Sequence, residues 1–101
     1  MIGVGLKPEK NSILFKELKL EKKIKQKIVD IQNFSKINQI VKYEKPDIIF
    51  HLAAQSSVPL SLTNYYASSS NNLESSLKIF EYSKKFSAPI VYASSAAVYG
   101  N

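Results

Sequence analysis

The apolar positions of this chain fall into four short runs, separated by stretches in which apolar residues recur at helical spacing. Met1 to Leu6, "MIGVGL", is apolar with two glycines, is closed by Lys7-Pro8, and predicts the end of a strand. Ser12 to Leu20 predicts a short helix with Ile13, Leu14, Phe15 and Leu18 apolar. Lys27 to Ile31, "KIVDI", is a second β-branched run. From Phe34, the residues Phe34, Ile37, Ile40 and Val41 recur at helical spacing, with Ser35 as a candidate cap and Pro46 as the stop. "DIIFHLAA", Asp47 to Ala54, predicts a buried strand without alternation, as a parallel strand covered on both faces requires. A serine-rich stretch follows, then Leu73, Leu77, Ile79, Phe80 and Tyr82 on a long helix, and Pro89 to Ala93 as the last strand. Strands alternating with helices at this spacing predict βαβ units, a parallel sheet and the α/β class.

At 101 residues there is room for one small domain, and neither a repeat nor an interdomain linker interrupts it. Apolar residues form 45% of the chain, which suits a globular core. The absence of cysteine excludes disulfides and thiolate metal sites, so no metal is expected. The N-terminal "MIGVGLKPEK" has no signal-peptide pattern and no apolar run reaches the roughly 20 residues of a membrane span, so a cytoplasmic location without membrane association is the expectation. The net charge of +6 is local: residues 1 to 45 hold 11 of the 14 lysines against five acids, and the remainder balances. Every cation is lysine, without the bidentate guanidinium of base and phosphate forks. "KELKLEKKIKQK", Lys16 to Lys27, has no interleaved aromatics and reads as a solvated face; a Lys-rich binder of acidic polymers is the weaker reading, and no nucleic acid is expected.

In parallel α/β sheets ligands bind beyond the carboxyl ends of the strands. The residues to interrogate are Leu6-Lys7, Asp30-Ile31, His51 to Ser57, and Ser94 onward. "AAQSS", Ala53 to Ser57, has little side-chain bulk and lets a flat ligand approach the backbone, although composition alone equally describes a loop. His51 stands without a second His, a Cys or a carboxylate pair and reads as a packed or hydrogen-bonded structural residue. "GVG", Gly3 to Gly5, is not a dinucleotide fingerprint, because the third glycine falls on Pro8.

"PDIIFHLAAQSSV", Asn72 within "NNLESSLKIFEYSKK", and "VYASSAAVYGN" together resemble the extended short-chain dehydrogenase/reductase family, the nucleotide-sugar epimerases and dehydratases. The resemblance runs over nearly the whole chain, and the HLAA strand end with the S-S-x-x-V-Y-G turn is specific as a pair. It implies a partial Rossmann-type doubly wound parallel sheet, residues 1–101 forming a single NAD(P)-binding domain truncated at both ends, without the first strand and its glycine-rich turn. In the doubly wound order that strand lies between "IGVGL" and "IIFHLAA", so either two strand edges are bared or the flanking strands close up into a four-stranded remnant. By resemblance Ser95 is the catalytic serine that binds the sugar 4-hydroxyl and shares a proton relay with the tyrosine of a Y-x-x-x-K motif. No such motif is present: four residues after Tyr82 stands Phe86.

The resemblance further implies cofactor contacts at Asp30 and Ile31 beside the adenine, at Leu52, Ala53 and Ala54 along the ribose and pyrophosphate, at Ser56, at Asn72 holding the central loop, and at Ser94 near the nicotinamide. Gln55 and Ser57 are the corresponding substrate-side residues. The resemblance implies NAD as cofactor, with NADP possible because Lys7 alone is ambiguous and Lys7 and Lys10 are the residues to suspect if NADP is preferred; it implies a nucleotide-sugar substrate and a homodimer of the complete protein. Departures from the family pattern lie at Ser68 to Ser70, Ser75 and Lys78, near the start of the last long helix. The opening half most resembles the sugar-nucleotide 4,6-dehydratases. Dehydratases, however, place Asp or Glu in the two positions after the catalytic residue, where this chain has Ala96 and Ala97, so the active-site turn resembles an epimerase acting at C4. The alternatives are a dehydratase and a non-catalytic nucleotide-binding or interaction module. The isolated chain is expected to be inactive and to bind no cofactor tightly.

Overall fold

The computed structural model describes residues 1–8, 13–54 and 58–100. The chain runs β1 (Ile2–Gly5), α1 (Ile13–Glu17), α2 (Leu20–Lys23), β2 (Lys25–Ile28), α3 (Phe34–Glu44), β3 (Ile49–His51), α4 (Val58–Thr63), α5 (Tyr65–Ser69), a wide π-type turn (Ser70–Glu74), α6 (Ser75–Phe86), β4 (Ile90–Tyr92) and a short 3-10 turn (Ala96–Tyr99). The strands form two parallel pairs, β1 with β2 and β3 with β4, with Ile2 opposite Lys25 and Ile49 opposite Ile90. The pairs do not join, so the bared edges of the first expectation are observed and the closed four-stranded remnant is not.

Ile37 and Val41 of α3 and Ile79 and Tyr82 of α6 form the buried cluster, and Val29, Ile31, Ile49, Phe86 and Ile90 pack against it. The Tyr82 hydroxyl donates to the Phe34 carbonyl at 2.9 Å, which gives this aromatic a partner for its polar tip and fixes the start of α3 to the middle of α6. Both helices end on non-glycine residues in the left-handed region. At Lys45 (φ 46) the N–H bonds back to Val41 O, and at Ser87 (φ 52) the bonds Ser87 N–H to Lys84 O and Ala88 N–H to Ser83 O form a Schellman pair.

Three local expectations are corrected, and one stretch left without an assigned element gains helices. The cap of α3 is Asn33, whose Oδ1 accepts the Lys36 N–H at 3.2 Å, and Ser35 lies inside the helix. The second strand begins at Lys25 and ends at Ile28, because Asp30 and its neighbours turn: Asp30 Oδ1 accepts the Gln32 N–H and Asp30 O the Asn33 N–H, both at 2.9 Å. The serine-rich stretch is helical from Val58 onward, in two short helices parted at Asn64, whose side chain accepts the Ala67 N–H. The third strand is covered on one face only: Ile49 packs into the core and His51 is buried, while Phe50 between them is 62% exposed.

Candidate functional site

The carboxyl ends of the strands are drawn together by the turn that precedes α6. On one side Gln32, in the loop after β2, places Nε2 at 3.5 Å from Asn71 Oδ1. The Asn71 Nδ2 donates to Asn72 Oδ1 at 3.0 Å. On the other side the Asn72 carbonyl accepts the Ser76 hydroxyl, and Ser76 Oγ stands 3.0 Å from His51 Nε2 at the end of β3. The Ser76 hydroxyl also lies 3.5 Å from the Tyr92 hydroxyl, so it is shared among groups of β3, β4 and the wide turn. The His51 and Tyr92 rings lie 5.5 Å apart, and Tyr92 meets Phe80 edge-on at 5.3 Å, so β3, β4 and α6 lock together beneath the strand ends.

The structural reading of His51 holds, since it is buried and hydrogen-bonded. Burial lowers its pKa from the ordinary value of 6.5, because the charged form loses water. The folded state thus binds a proton less readily than the unfolded chain. The stability this gives is complete above about pH 6.5 and is lost as pH falls through the lower folded-state value. His51 is the single histidine of the chain. Urea unfolding is therefore expected to show a lower midpoint at about pH 5.5 than at about pH 7.5, with the difference abolished in His51→Gln; a higher midpoint in acid contradicts this account.

Several residues singled out in the sequence cluster at this edge. Asp30 is exposed and held in its turn by the bond from Gln32, and Ile31 is half-buried against the core cluster. Leu52, Ala53 and Ala54 follow β3 directly and are exposed; Ser94 and Ser95 follow β4 and are exposed, with Ser95 O accepting the Val98 N–H at 3.2 Å. Asn72 is half-buried in the wide turn, tied to β3 through Ser76. Gln55, Ser56 and Ser57 lie outside the described residues. Sequence reasoning missed Gln32, Asn71 and Ser76; the only signal for Ser76 was a polar residue on the inner face of an amphipathic helix. Ser75, at a position of departure from the family pattern, is fully buried, and its hydroxyl has no hydrogen-bond partner among the described residues.

A shallow concavity of about 500 Å³ lined by Val41, Lys42, Lys45, Pro46, Asp47, Phe86 and Ser87 lies at the carboxyl ends of α3 and α6, away from the strand carboxyl ends, and gathers no catalytic set. Among the described residues no group of His, Asp and Glu could hold a metal, and no helix is long and apolar enough to cross a membrane.

The strand ends carry exposed small residues at Ala53, Ala54 and Ser94. The NAD dependent epimerase/dehydratase family matches residues 7–101, and the chain belongs to that family. It is 37% identical over 73 residues to an uncharacterised protein of Methanocaldococcus jannaschii, covering 71% of this chain and 22% of that protein. It is 30% identical over 105 residues to Protein CapI of Staphylococcus aureus, covering 99% of this chain and 31% of CapI. Among solved structures, the UDP-Glc/GlcNAc 4-epimerase of Campylobacter jejuni superposes with a TM-score of 0.82 at 23% identity, over 98% of this chain and 30% of that one. The UDP-glucose 4-epimerase of Bifidobacterium longum in complex with NAD+ and UDP superposes with a TM-score of 0.80 at 22% identity, over 98% of this chain and 30% of that one. The fold is thus the Rossmann-type doubly wound sheet, and the chain spans less than a third of the length of these relatives.

Proposed function

We propose that residues 1–101 are a single nucleotide-binding unit of an NAD-dependent nucleotide-sugar epimerase that acts at C4. The observation that carries this reading is Ser95. It is exposed directly beyond β4, on the edge where parallel sheets bind ligands, and the next two residues, Ala96 and Ala97, offer no proton-transfer group. A dehydratase must move protons at two further carbons, and the two positions after Ser95 carry no side chain for that transfer.

Asp30 and Ile31 would hold the adenosine end of NAD, Leu52, Ala53 and Ala54 would line its middle, and Ser94 would approach the nicotinamide. These residues fit the two ends of a dinucleotide, because the strand ends are open and unobstructed by bulky polar side chains. Bound NAD supplies hydride acceptance and return at C4. Ser95 orients and polarises the 4-hydroxyl, and its own proton must pass to a stronger base. Leu73 of the wide turn with Leu77 and Phe80 of α6, exposed although apolar, supports a homodimer of the complete protein.

The test is a chimera in which residues 1–101 replace the matching segment of the Campylobacter jejuni UDP-Glc/GlcNAc 4-epimerase. It is expected to release a C4 epimer from UDP-glucose; a 4-keto-6-deoxy product overturns the reading. Ser95→Ala in the same chimera is expected to lower kcat by about 100-fold or more. Leu77→Glu is expected to shift its sedimentation from dimer to monomer.

A further inference from the structure

The chain between α5 and α6 does not continue as a plain α-helix. Over Ser70–Glu74 it widens into a π-type turn, in which the Ser75 N–H reaches back to Ser70 O. Such a turn inside a helix is rare and is found frequently at functional sites. None of its residues is buried, and Leu73 is 60% exposed, so apolar packing does not hold it. Side-chain bonds do. Ser70 Oγ donates to Glu74 Oε2 at 2.9 Å within the turn, and two further links leave it in opposite directions. Asn71 Oδ1 accepts from Gln32 of the loop after β2, while the Asn72 carbonyl accepts the hydroxyl of Ser76, whose Oγ meets His51 at the end of β3.

Among the described residues the two strand pairs share no ladder, so no backbone bonds between them set the spacing of their carboxyl ends. Gln32 directly follows Ile31, and His51 directly precedes Leu52. The chain of bonds through Gln32, Asn71, Asn72, Ser76 and His51 therefore runs from one group of candidate cofactor contacts to the other. Its inner half is the firm one: Ser76 and His51 are each 5% exposed and stand 3.0 Å apart, whereas the Gln32 link is exposed and 3.5 Å long. Loss of the Ser76 hydroxyl takes a partner from the buried imidazole and from the Asn72 carbonyl at once, which costs more than the net worth of either bond.

We propose that Ser76 is a positioning residue for the dinucleotide: gripped by His51, it fixes Asn72 and the wide turn, and so sets the distance between the contacts at Asp30 and Ile31 and those at Leu52, Ala53 and Ala54. The proposal rests on the dinucleotide reading above and adds to it the device that keeps the two ends of that site in register. Ser76 lies beneath the strand ends and acts through Asn72.

Two measurements test it. In the 101-residue chain, Ser76→Ala is expected to shift the side-chain amide resonances of Gln32 and Asn71 in a two-dimensional NMR spectrum. Ser76→Thr, which keeps the hydroxyl, is expected to leave them in place, and the backbone resonances of Ile37 and Val41 are expected to hold in both variants. In the chimera with the Campylobacter jejuni epimerase, Ser76→Ala is expected to raise the NAD concentration for half-maximal rate about tenfold, while kcat at saturating NAD stays within about twofold. Ser76→Thr is expected to restore the original NAD requirement. Gln32→Ala, at an exposed position, is expected to raise that requirement about threefold alone and to add nothing in Ser76→Ala, because both changes cut the same chain of bonds. Unshifted Gln32 and Asn71 resonances, a fall in kcat equal to the loss in NAD affinity, or independent effects of the two changes each overturns the proposal. Should Ser76→Ala fail to fold, Gln32→Ala decides: an unchanged NAD requirement overturns it. A chimera of the unaltered residues 1–101 that binds no NAD overturns the dinucleotide reading and the positioning role with it, and resonance shifts in the isolated chain then show a network that serves the fold alone.

Discussion

Calorimetric titration of the 101-residue chain with NAD is expected to show no saturable binding tighter than about 1 mM, and the chain is expected to turn over no UDP-sugar. Dinucleotide affinity in doubly wound folds depends on a glycine-rich turn that brings pyrophosphate onto the N-terminus of a long helix. Here the strand-end glycines Gly3 and Gly5 lead into Leu6, Lys7 and Pro8, and the next described helix, α1, has only five residues. What remains on the proposed reading is a turn at Asp30 for the adenosine end and small residues at Ala53 and Ala54 for the middle of the cofactor. The proton relay is equally short of parts, since Ser95 has no Tyr-x-x-x-Lys pair in the sequence to pass its proton to. Micromolar binding of NAD or NADP, or measurable epimerisation by this chain alone, would sink the expectation.

The order of elements was legible because each strand is a compact apolar run and the helices between carry 3.6-residue periodicity, as at Ile37 and Val41 or Ile79 and Tyr82. Position along the strands was legible as well, since parallel topology alone places Asp30, Ala53 and Ser94 beyond strand ends. Element boundaries were less legible where side chains compete with the ladder. Asp30 bonds the backbone of Gln32, which turns the chain after Ile28 despite the β-branched Val29 and Ile31. The stretch after His51 read as serine-rich because serine is a poor helix former. Its helices are instead punctuated by Asn64, and run on through the wide turn into α6. The link from His51 through Ser76 to Asn72 spans 25 residues of sequence, and no local pattern encodes a contact of that separation. Exposure of Phe50 was also invisible, because an unalternating apolar run is the signature of a strand covered on both faces, and the second cover is not among the described residues.

Ile79→Ala is expected to abolish cooperative folding of the chain near room temperature, whereas Leu77→Ala, two residues away on the same helix, is expected to change stability by no more than about 0.5 kcal/mol. Ile79 is 5% exposed and sits with Ile37, Val41 and Tyr82 in the buried cluster of the molecule, and among the described residues β1 and β3 share no hydrogen-bonded ladder. Removing the methyl and methylene groups of a buried isoleucine costs about 2–5 kcal/mol, the larger figures arising where neighbours cannot collapse into the cavity. Tyr82 cannot relax freely into the space, because its hydroxyl is bonded to Phe34 O. Net stability of a small domain is commonly only about 5 kcal/mol, and exposure of Phe50, Val91 and two strand edges leaves this one at the low end. Leu77 is 53% exposed on α6, so its truncation removes little buried area and serves as the control for helix propensity. Urea unfolding followed by far-UV circular dichroism, with amide exchange read separately at β1–β2 and β3–β4, makes the comparison. Protection is expected to vanish from both pairs together in Ile79→Ala. A cooperative transition displaced by less than about 1 kcal/mol, or loss confined to one pair, would show that something other than this cluster holds the halves together.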